Sequence, residues 1–165
     1  MDSTKRKFLS LGGLAFTGAV IGGFASLRSG TALARSGYAV TRPDAEWRKM
    51  LTPAAYRVLR NADTERPYSS KLNDEKRKGI FACAGCNQRL FASATKFDSG
   101  TGWPSFYQPL AGGVGTTTDY KIGYPRTEVH CARCGGHLGH VFNDGPKPTG
   151  KRYCMNGAAM KFVAG

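Results

Sequence analysis

Hydrophobic and polar positions change rhythm three times along this chain. A basic cluster, Lys5-Arg6-Lys7, precedes residues 8–27, which are all small or apolar, and the next charge is Arg28. Residues 38–62 then follow a helical pattern. Asp44 is placed to cap a turn running through Met50, and Thr52 followed by Pro53 reads as the N-cap and first residue of a second short helix over residues 54–59. Residues 61–78 are polar and dense in charge, which predicts a surface loop. From Gly79 onward short β-like runs alternate with Gly, Pro and Asn-Asp turns, at residues 80–82, 89–91, 120–122, 127–129, 140–142, 153–155 and 161–163. Runs of that length and spacing predict a compact antiparallel β domain with a helical N-terminal flank.

Composition narrows the class. With 165 residues, 41% hydrophobic, and two Trp, seven Tyr and nine Phe, the chain has material for one packed domain, which excludes a disordered basic tail, collagen, a coiled coil and a polytopic membrane protein. The formal charge of +13 invites a nucleic-acid or anionic-surface reading, but no run of more than three consecutive basic residues marks a phosphate-tracking surface. The first 34 residues read as a targeting segment: basic start, apolar stretch diluted by five glycines, then Ala32-Leu33-Ala34 as an A-x-A cleavage site. Residues 3–9 also resemble a twin-arginine export signal, with Lys5 in place of the first arginine, so Sec export stays open, as does an uncleaved anchor. A cut after Ala34 leaves residues 35–165 as the mature domain, in the periplasm or otherwise exported, meeting the membrane only during export.

Four of the five cysteines form two Cys-x-x-Cys pairs at tight turns, Cys83/Cys86 and Cys131/Cys134. Two such knuckles complete a tetrahedral thiolate set, which predicts one structural Zn2+ with no open position for water. Two disulfides, or redox pairs of the thioredoxin sort, are the alternatives in an oxidising compartment. Gly135-Gly136 after Cys134 is poor material for the helix that a redox pair usually opens. Residues 87–130 separate the knuckles, more than a plain zinc ribbon spans, so the metal is expected to staple two distant hairpins.

That leaves Cys154, in Arg152-Tyr153-Cys154-Met155-Asn156. On a strand Arg152 shares its face, and a nearby cation favours the nucleophilic thiolate. His137 and His140 lie in His137-Leu138-Gly139-His140-Val141-Phe142, followed by Asn143-Asp144-Gly145-Pro146. Beside four thiolates they read equally as structural histidines. Gly102-Trp103-Pro104-Ser105-Phe106 puts aromatic side chains on a constrained loop, which alone would read as a core corner.

Taken together, these motifs resemble the methionine-R-sulfoxide reductase family over roughly residues 47–163. The resemblance implies a distorted, open barrel of antiparallel sheets with the metal site opposite the active site, and reduction of the R epimer of methionine sulfoxide, mainly in oxidised proteins. Carried over by position, Cys154 matches the nucleophile, His137, His140 and Asn156 the polar groups around the sulfoxide oxygen, Trp103 and Phe142 the methyl pocket, and Arg152 and Asp144 the residues that orient the site. The thiolate would hold a histidine protonated beside it, attack would leave a sulfenic acid, and a thioredoxin-like or other external thiol would reduce it. Thr101 stands where many members carry a resolving cysteine, so a one-cysteine enzyme is expected, and Gly157 stands where many carry serine. A zinc-stabilised binding module and a thiol-disulfide oxidoreductase are the competing readings.

Overall fold

The computed structural model describes residues 37–165; the export signal expected over residues 1–34 lies outside the described residues. The described chain is mainly β. Two short helices, α1 (Asp44–Met50) and α2 (Pro53–Asn61), lead into strands β1 (Gly79–Cys83), β2 (Arg89–Ala92), β3 (Lys96–Phe97), β4 (Ser105–Phe106), β5 (Val114–Asp119), β6 (Arg126–Cys131), β7 (His137–Phe142), β8 (Arg152–Met155) and β9 (Met160–Ala164). A three-stranded sheet runs β2-β1-β9 and a six-stranded sheet runs β3-β4-β8-β7-β6-β5, with every pairing antiparallel. The larger sheet ends on β3 and β5, so the barrel is the open, distorted one expected.

Aromatic side chains bind the two sheets. Phe106 on β4 stacks on Phe91 of β2 with ring centroids 4.3 Å apart and meets Phe81 of β1 edge-on at 4.9 Å. All three are fully buried, together with Leu90, Val129, Leu138 and Met155. Each large apolar side chain removed from water contributes on the order of 2 kcal/mol, so this layer is a main source of cohesion between the sheets.

Local chemistry explains most element ends. Thr52 accepts a hydrogen bond from the Ala55 N–H at 3.2 Å, as its N-cap reading requires, and α2 stops at Ala62, whose left-handed backbone (φ 52°) breaks the helix. Its Ala55, Tyr56, Val58 and Leu59 are buried, and the helix packs on β7. Asp44 is no cap: Pro43 holds that position, and the Asp44 carboxylate instead accepts from the Tyr56 hydroxyl and from Arg48 Nε at 2.7 Å, tying α1 to α2.

The strand expected at residues 120–122 is a turn. Asp119 Oδ1 accepts the Lys121 N–H at 2.8 Å, Gly123 N–H reaches the Tyr120 carbonyl at 3.0 Å, and Gly123 sits at φ +88°. The strand itself is β5, whose Gly115-Thr116-Thr117-Thr118 gave no alternating apolar signal because it is the exposed edge of the sheet. The two-residue strands β3 and β4 were equally silent in the sequence, being too short to show a period.

At the centre of the larger sheet, β7 and β8 approach unusually closely at Gly139. A Cβ there would stand 2.1 Å from the Cys154 carbonyl oxygen and 3.0 Å from Met155 Cα. Gly139→Ala is therefore expected to force β7 and β8 apart and lower stability by about 1–3 kcal/mol. Urea unfolding would check this, and an unchanged midpoint would contradict the close approach.

Candidate active site and metal centre

The two Cys-x-x-Cys turns have the same backbone. Cys83 N–H donates to the Gln88 carbonyl and Asn87 N–H to the Cys83 carbonyl; one knuckle later Cys131 N–H donates to Gly136 and Gly135 N–H to Cys131, all at 2.8–3.0 Å. Asn87 and Gly135 follow the second cysteine of each turn and both adopt the left-handed backbone, at φ 62° and 65°. Only glycine fits at 135, since a Cβ there would lie 2.4 Å from the Tyr38 ring.

One knuckle closes the β1–β2 hairpin of the small sheet, and the other closes β6–β7 of the large one. Their four Sγ atoms converge within 4.8 Å of one another, with Cys86–Cys131 at 3.5 Å and Cys83–Cys134 at 3.8 Å across the two knuckles. A tetrahedral metal with bonds of about 2.3 Å to sulfur sets its ligands about 3.8 Å apart, so these residues fit a metal ion. One shared cluster does not fit two separate disulfides or two redox pairs. Such crowded, buried thiolates also repel one another unless a cation sits among them. The N-terminal segment covers this centre: Trp47 and Leu59 pack over Gly85, Arg60 lies 4.8 Å from the Trp47 ring centroid, and its guanidinium donates to the Cys134 carbonyl at 3.3 Å.

The second knuckle leads straight into β7, which carries both histidines. Cys154 on β8 lies directly opposite His140 on β7 and Ser105 on β4. The thiol is half-buried, and Thr101 Oγ1 approaches its Sγ at 3.8 Å. Burial pushes the Cys154 thiol above its ordinary value, against the lowering influence of Thr101, Arg152 and Ser105. Arg152 shares its strand face, as expected. Its guanidinium is held by a two-pronged pair with Asp144 (2.9 and 2.8 Å) and rests 4.5 Å from the ring centroid of the partly exposed Phe142.

His137 and His140 are each bound to a carboxylate that the sequence did not single out. His137 Nδ1 meets Glu128 Oε1 at 2.7 Å, and His140 Nε2 meets Asp119 Oδ2 at 2.8 Å. Asp119 is also paired with Arg126 at 2.6 Å; the backbone N–H of Lys121, His140 and Arg126 together hold its carboxyl far below the usual range. The two imidazoles meet edge to face, 5.3 Å apart, and the buried His137 Nε2 has no hydrogen-bond partner. Burial is the largest influence on His140 and keeps it below its ordinary value, outweighing Asp119. Both shifts have one cause: Cys154 and His140 lose water, and burial disfavours the charged form of each.

Asn156 and Trp103 are tied to the polar stretch that reads as a surface loop. The Asn156 amide donates to the Leu138 carbonyl at 3.0 Å and accepts the Glu65 N–H at 2.9 Å, so it braces the site from within. Trp103 Nε1 donates to the Glu65 carbonyl at 3.1 Å. The Glu65 carboxylate accepts from the Gly157 and Ala158 N–H groups, and burial outweighs those bonds to raise its pKa. Segment 61–78 is thus a wall of the site as well as surface. The space that a side chain at Gly157 would need is taken by Ser70, whose Oγ lies 1.9 Å from the position of such a Cβ. Glu65, Asp119 and Glu128 escaped the sequence reading because each acts through a partner at least nine residues away; only their charge on short strands and loops could have hinted at them.

Comparison with known proteins decides the family. The SelR domain matches residues 51–164. The chain belongs to the SelR family of methionine-R-sulfoxide reductases. It is 52% identical over 126 residues to a protein of Leptospira interrogans, covering 76% of this chain and 96% of that one. It is 54% identical over 125 residues to a protein of Methanosarcina barkeri, covering 75% and 88%. It is 56% identical over 119 residues to a protein of Pseudomonas savastanoi pv. phaseolicola, covering 72% and 91%. All three relatives are named peptide methionine sulfoxide reductase MsrB. Membership of this reductase family sets aside the binding-module and thiol-disulfide readings, and the charge of +13 no longer calls for a nucleic-acid partner.

The pKa directions make a testable statement about this reductase. His140 and Asp119 both titrate below their ordinary values of 6.5 and 3.8, so between the folded and unfolded values the unfolded chain binds more protons. Stability should fall with acid, first below about pH 6.5 through His140 and then below about pH 4 through Asp119. Urea midpoints measured from pH 8 to 5.5 should decline in the wild type and decline less in His140→Gln; equal slopes would remove His140 as the cause.

Proposed function

We propose that this chain reduces the R epimer of methionine sulfoxide in oxidised proteins through Cys154. The observation that carries the reading is the placement of Cys154 opposite His140, whose ring lies 5.3 Å from that of His137, the histidine with a buried Nε2 that has no partner. A sulfoxide oxygen is a good acceptor, and hydrogen-bonding or protonating it makes the sulfur electrophilic. The His137–Glu128 bond fixes the proton on Nδ1, so neutral His137 would need to gain a proton at Nε2 before donating there. Attack by the Cys154 sulfur then moves the oxygen from the substrate to the enzyme. The substrate sulfur gains two electrons and leaves as the thioether, and Cys154 is oxidised to the sulfenic acid. Trp103 and Phe142 are assigned to the substrate methyl, and Arg152, held by Asp144, to orienting the thiolate.

With four cysteines committed to the cluster and Thr101 facing the nucleophile, the sulfenic acid has no resolving thiol of this chain beside it. An external thiol, such as a thioredoxin-like protein, would displace the hydroxyl as water, and a second thiol would release Cys154 as a disulfide forms elsewhere. The four-thiolate set is assigned to Zn2+, which supplies structure and no chemistry at Cys154. Residues 1–34 are assigned to export, by the twin-arginine route or by Sec, which would place repair in the periplasm or another exported compartment.

With dithiothreitol and chirally resolved methionine sulfoxides, methionine release is expected from the R epimer alone and is expected to fall about a thousandfold or more in Cys154→Ser. Release from both epimers, or activity retained in the variant, would overturn the assignment. The purified protein should carry one zinc per chain, and stripping it with a chelator should lower the thermal midpoint by roughly 10 °C or more. An unchanged midpoint would show that the cluster is not structural.

A further inference from the structure

Next to Cys154, Thr101 and Ser99 of the loop before β4 and Ser105 at the start of β4 present three hydroxyl groups in series. Thr101 Oγ1 lies 3.8 Å from Cys154 Sγ and 2.8 Å from Ser99 Oγ; Ser99 Oγ lies 2.7 Å from Ser105 Oγ; and Ser105 Oγ lies 3.1 Å from the Trp103 carbonyl oxygen. A carbonyl can only accept, and a hydroxyl has a single proton to give. The far end of the chain therefore dictates the direction of every link. Ser105 spends its proton on Trp103, so Ser99 must donate to Ser105. Ser99 is then committed, so Thr101 must donate to Ser99. Thr101 in turn has no proton left for the sulfur, and the contact with Cys154 is completed only when the thiol donates to Thr101.

We propose that Ser99 and Thr101 form a hydrogen-bond lock that holds Cys154 as the thiol at rest, and that Cys154 becomes the thiolate when the Thr101 hydroxyl turns from Ser99 to the sulfur. The proposal rests on Cys154 being the nucleophile. Ser99 competes with the sulfur for the one Thr101 proton. When Cys154 ionises, its proton leaves to solvent, because the chain ends on an amide carbonyl that cannot keep it. Only Thr101 has to rotate; Ser99 and Ser105 keep their donors where they are. The lock gives a reason for threonine beside the nucleophile: its hydroxyl accepts from the thiol in one orientation and donates to the thiolate in the other. Burial already raises the thiol, and the lock withholds the Thr101 donor that lowers it.

The other groups facing Cys154 are Arg152 on its own strand, His140 opposite on β7, and Ser105 opposite on β4. Arg152 and His140 are untouched by changing Thr101 or Ser99, and Ser105 loses its Ser99 partner in Ser99→Ala but keeps its bond to the Trp103 carbonyl, so the two substitutions make opposite predictions for the lock. Removing the hydroxyl in Thr101→Val deprives the thiolate of its donor and should raise the Cys154 pKa by about one unit, the worth of one hydrogen bond to a charged group. Ser99→Ala removes the competitor, frees the Thr101 proton for the sulfur, and should lower that pKa by about half a unit to one unit. Thr101→Ser keeps the hydroxyl and should stay near the wild type.

The measurement is the pH dependence of iodoacetamide alkylation at Cys154, read by peptide mass spectrometry on the metal-loaded protein, with metal content and circular dichroism as controls for folding. Shifts of opposite sign for Ser99→Ala and Thr101→Val support the lock. Shifts of the same sign, or none in either variant, overturn it. Because this readout needs no turnover, it separates the lock from the nucleophile assignment, which fails independently if Cys154→Ser retains activity.

Discussion

Four thiols drawn from two sheets into one cluster are the constraint on which the rest of the molecule depends. Each knuckle is a hairpin turn that would be stable only within its own sheet, and bringing Cys83 and Cys86 against Cys131 and Cys134 sets how the sheets sit against each other. Crowding four ionisable sulfurs so closely is unfavourable without a cation, so metal binding and folding are coupled in such a site. The helical flank responds to the same constraint: Trp47, Leu59 and Arg60 cover the knuckles, and Thr52, by capping α2, helps keep that cover in place.

The cluster bears on the chemistry through geometry alone. The second knuckle ends two residues before β7, and β7 then presents His137 and His140 to the neighbouring strands. Gly139 lets β8 close in between those histidines, which brings Cys154 opposite His140. From the other side, Glu65 joins Asn156, Trp103 and the turn after β8 through its backbone N–H, its carbonyl and its carboxylate. The four-cysteine cluster on one flank and this hydrogen-bonded wall on the other hold a site in which burial raises the Cys154 thiol and lowers His140. Burial disfavours charge on both groups, and a polar ligand with a strong acceptor oxygen would offset that cost.

Much was legible in the residues because it depends on short separations. The Cys-x-x-Cys turns, the Thr52-Pro53 helix start and the Arg152/Cys154 face-sharing follow from turn, helix and strand geometry over two to four residues, and all appear where expected. The motifs around Trp103, His137 and Cys154 were enough to suggest the family over most of the chain. Signals failed where pattern was weak or misleading. The edge strand β5 has no apolar alternation because little of it is buried; residues 120–122 look strand-like by composition but are bent by Asp119 and Gly123.

The sequence alone determined the fold class, the metal-ligating set and the candidate nucleophile, since each is encoded by local periodicity, spacing or the arithmetic of five cysteines. Tertiary structure decided which carboxylates hold the histidines, what the Asn156 amide bonds to, that Glu65 anchors the wall, and that three hydroxyl groups line up beside Cys154. Those relations join residues from Glu65 to Ala158, brought into contact only by strand register and by the packing of one loop on another. Strand order and burial also set the direction in which Cys154 and His140 are shifted, because desolvation depends on everything that surrounds a group and not on its neighbours along the chain.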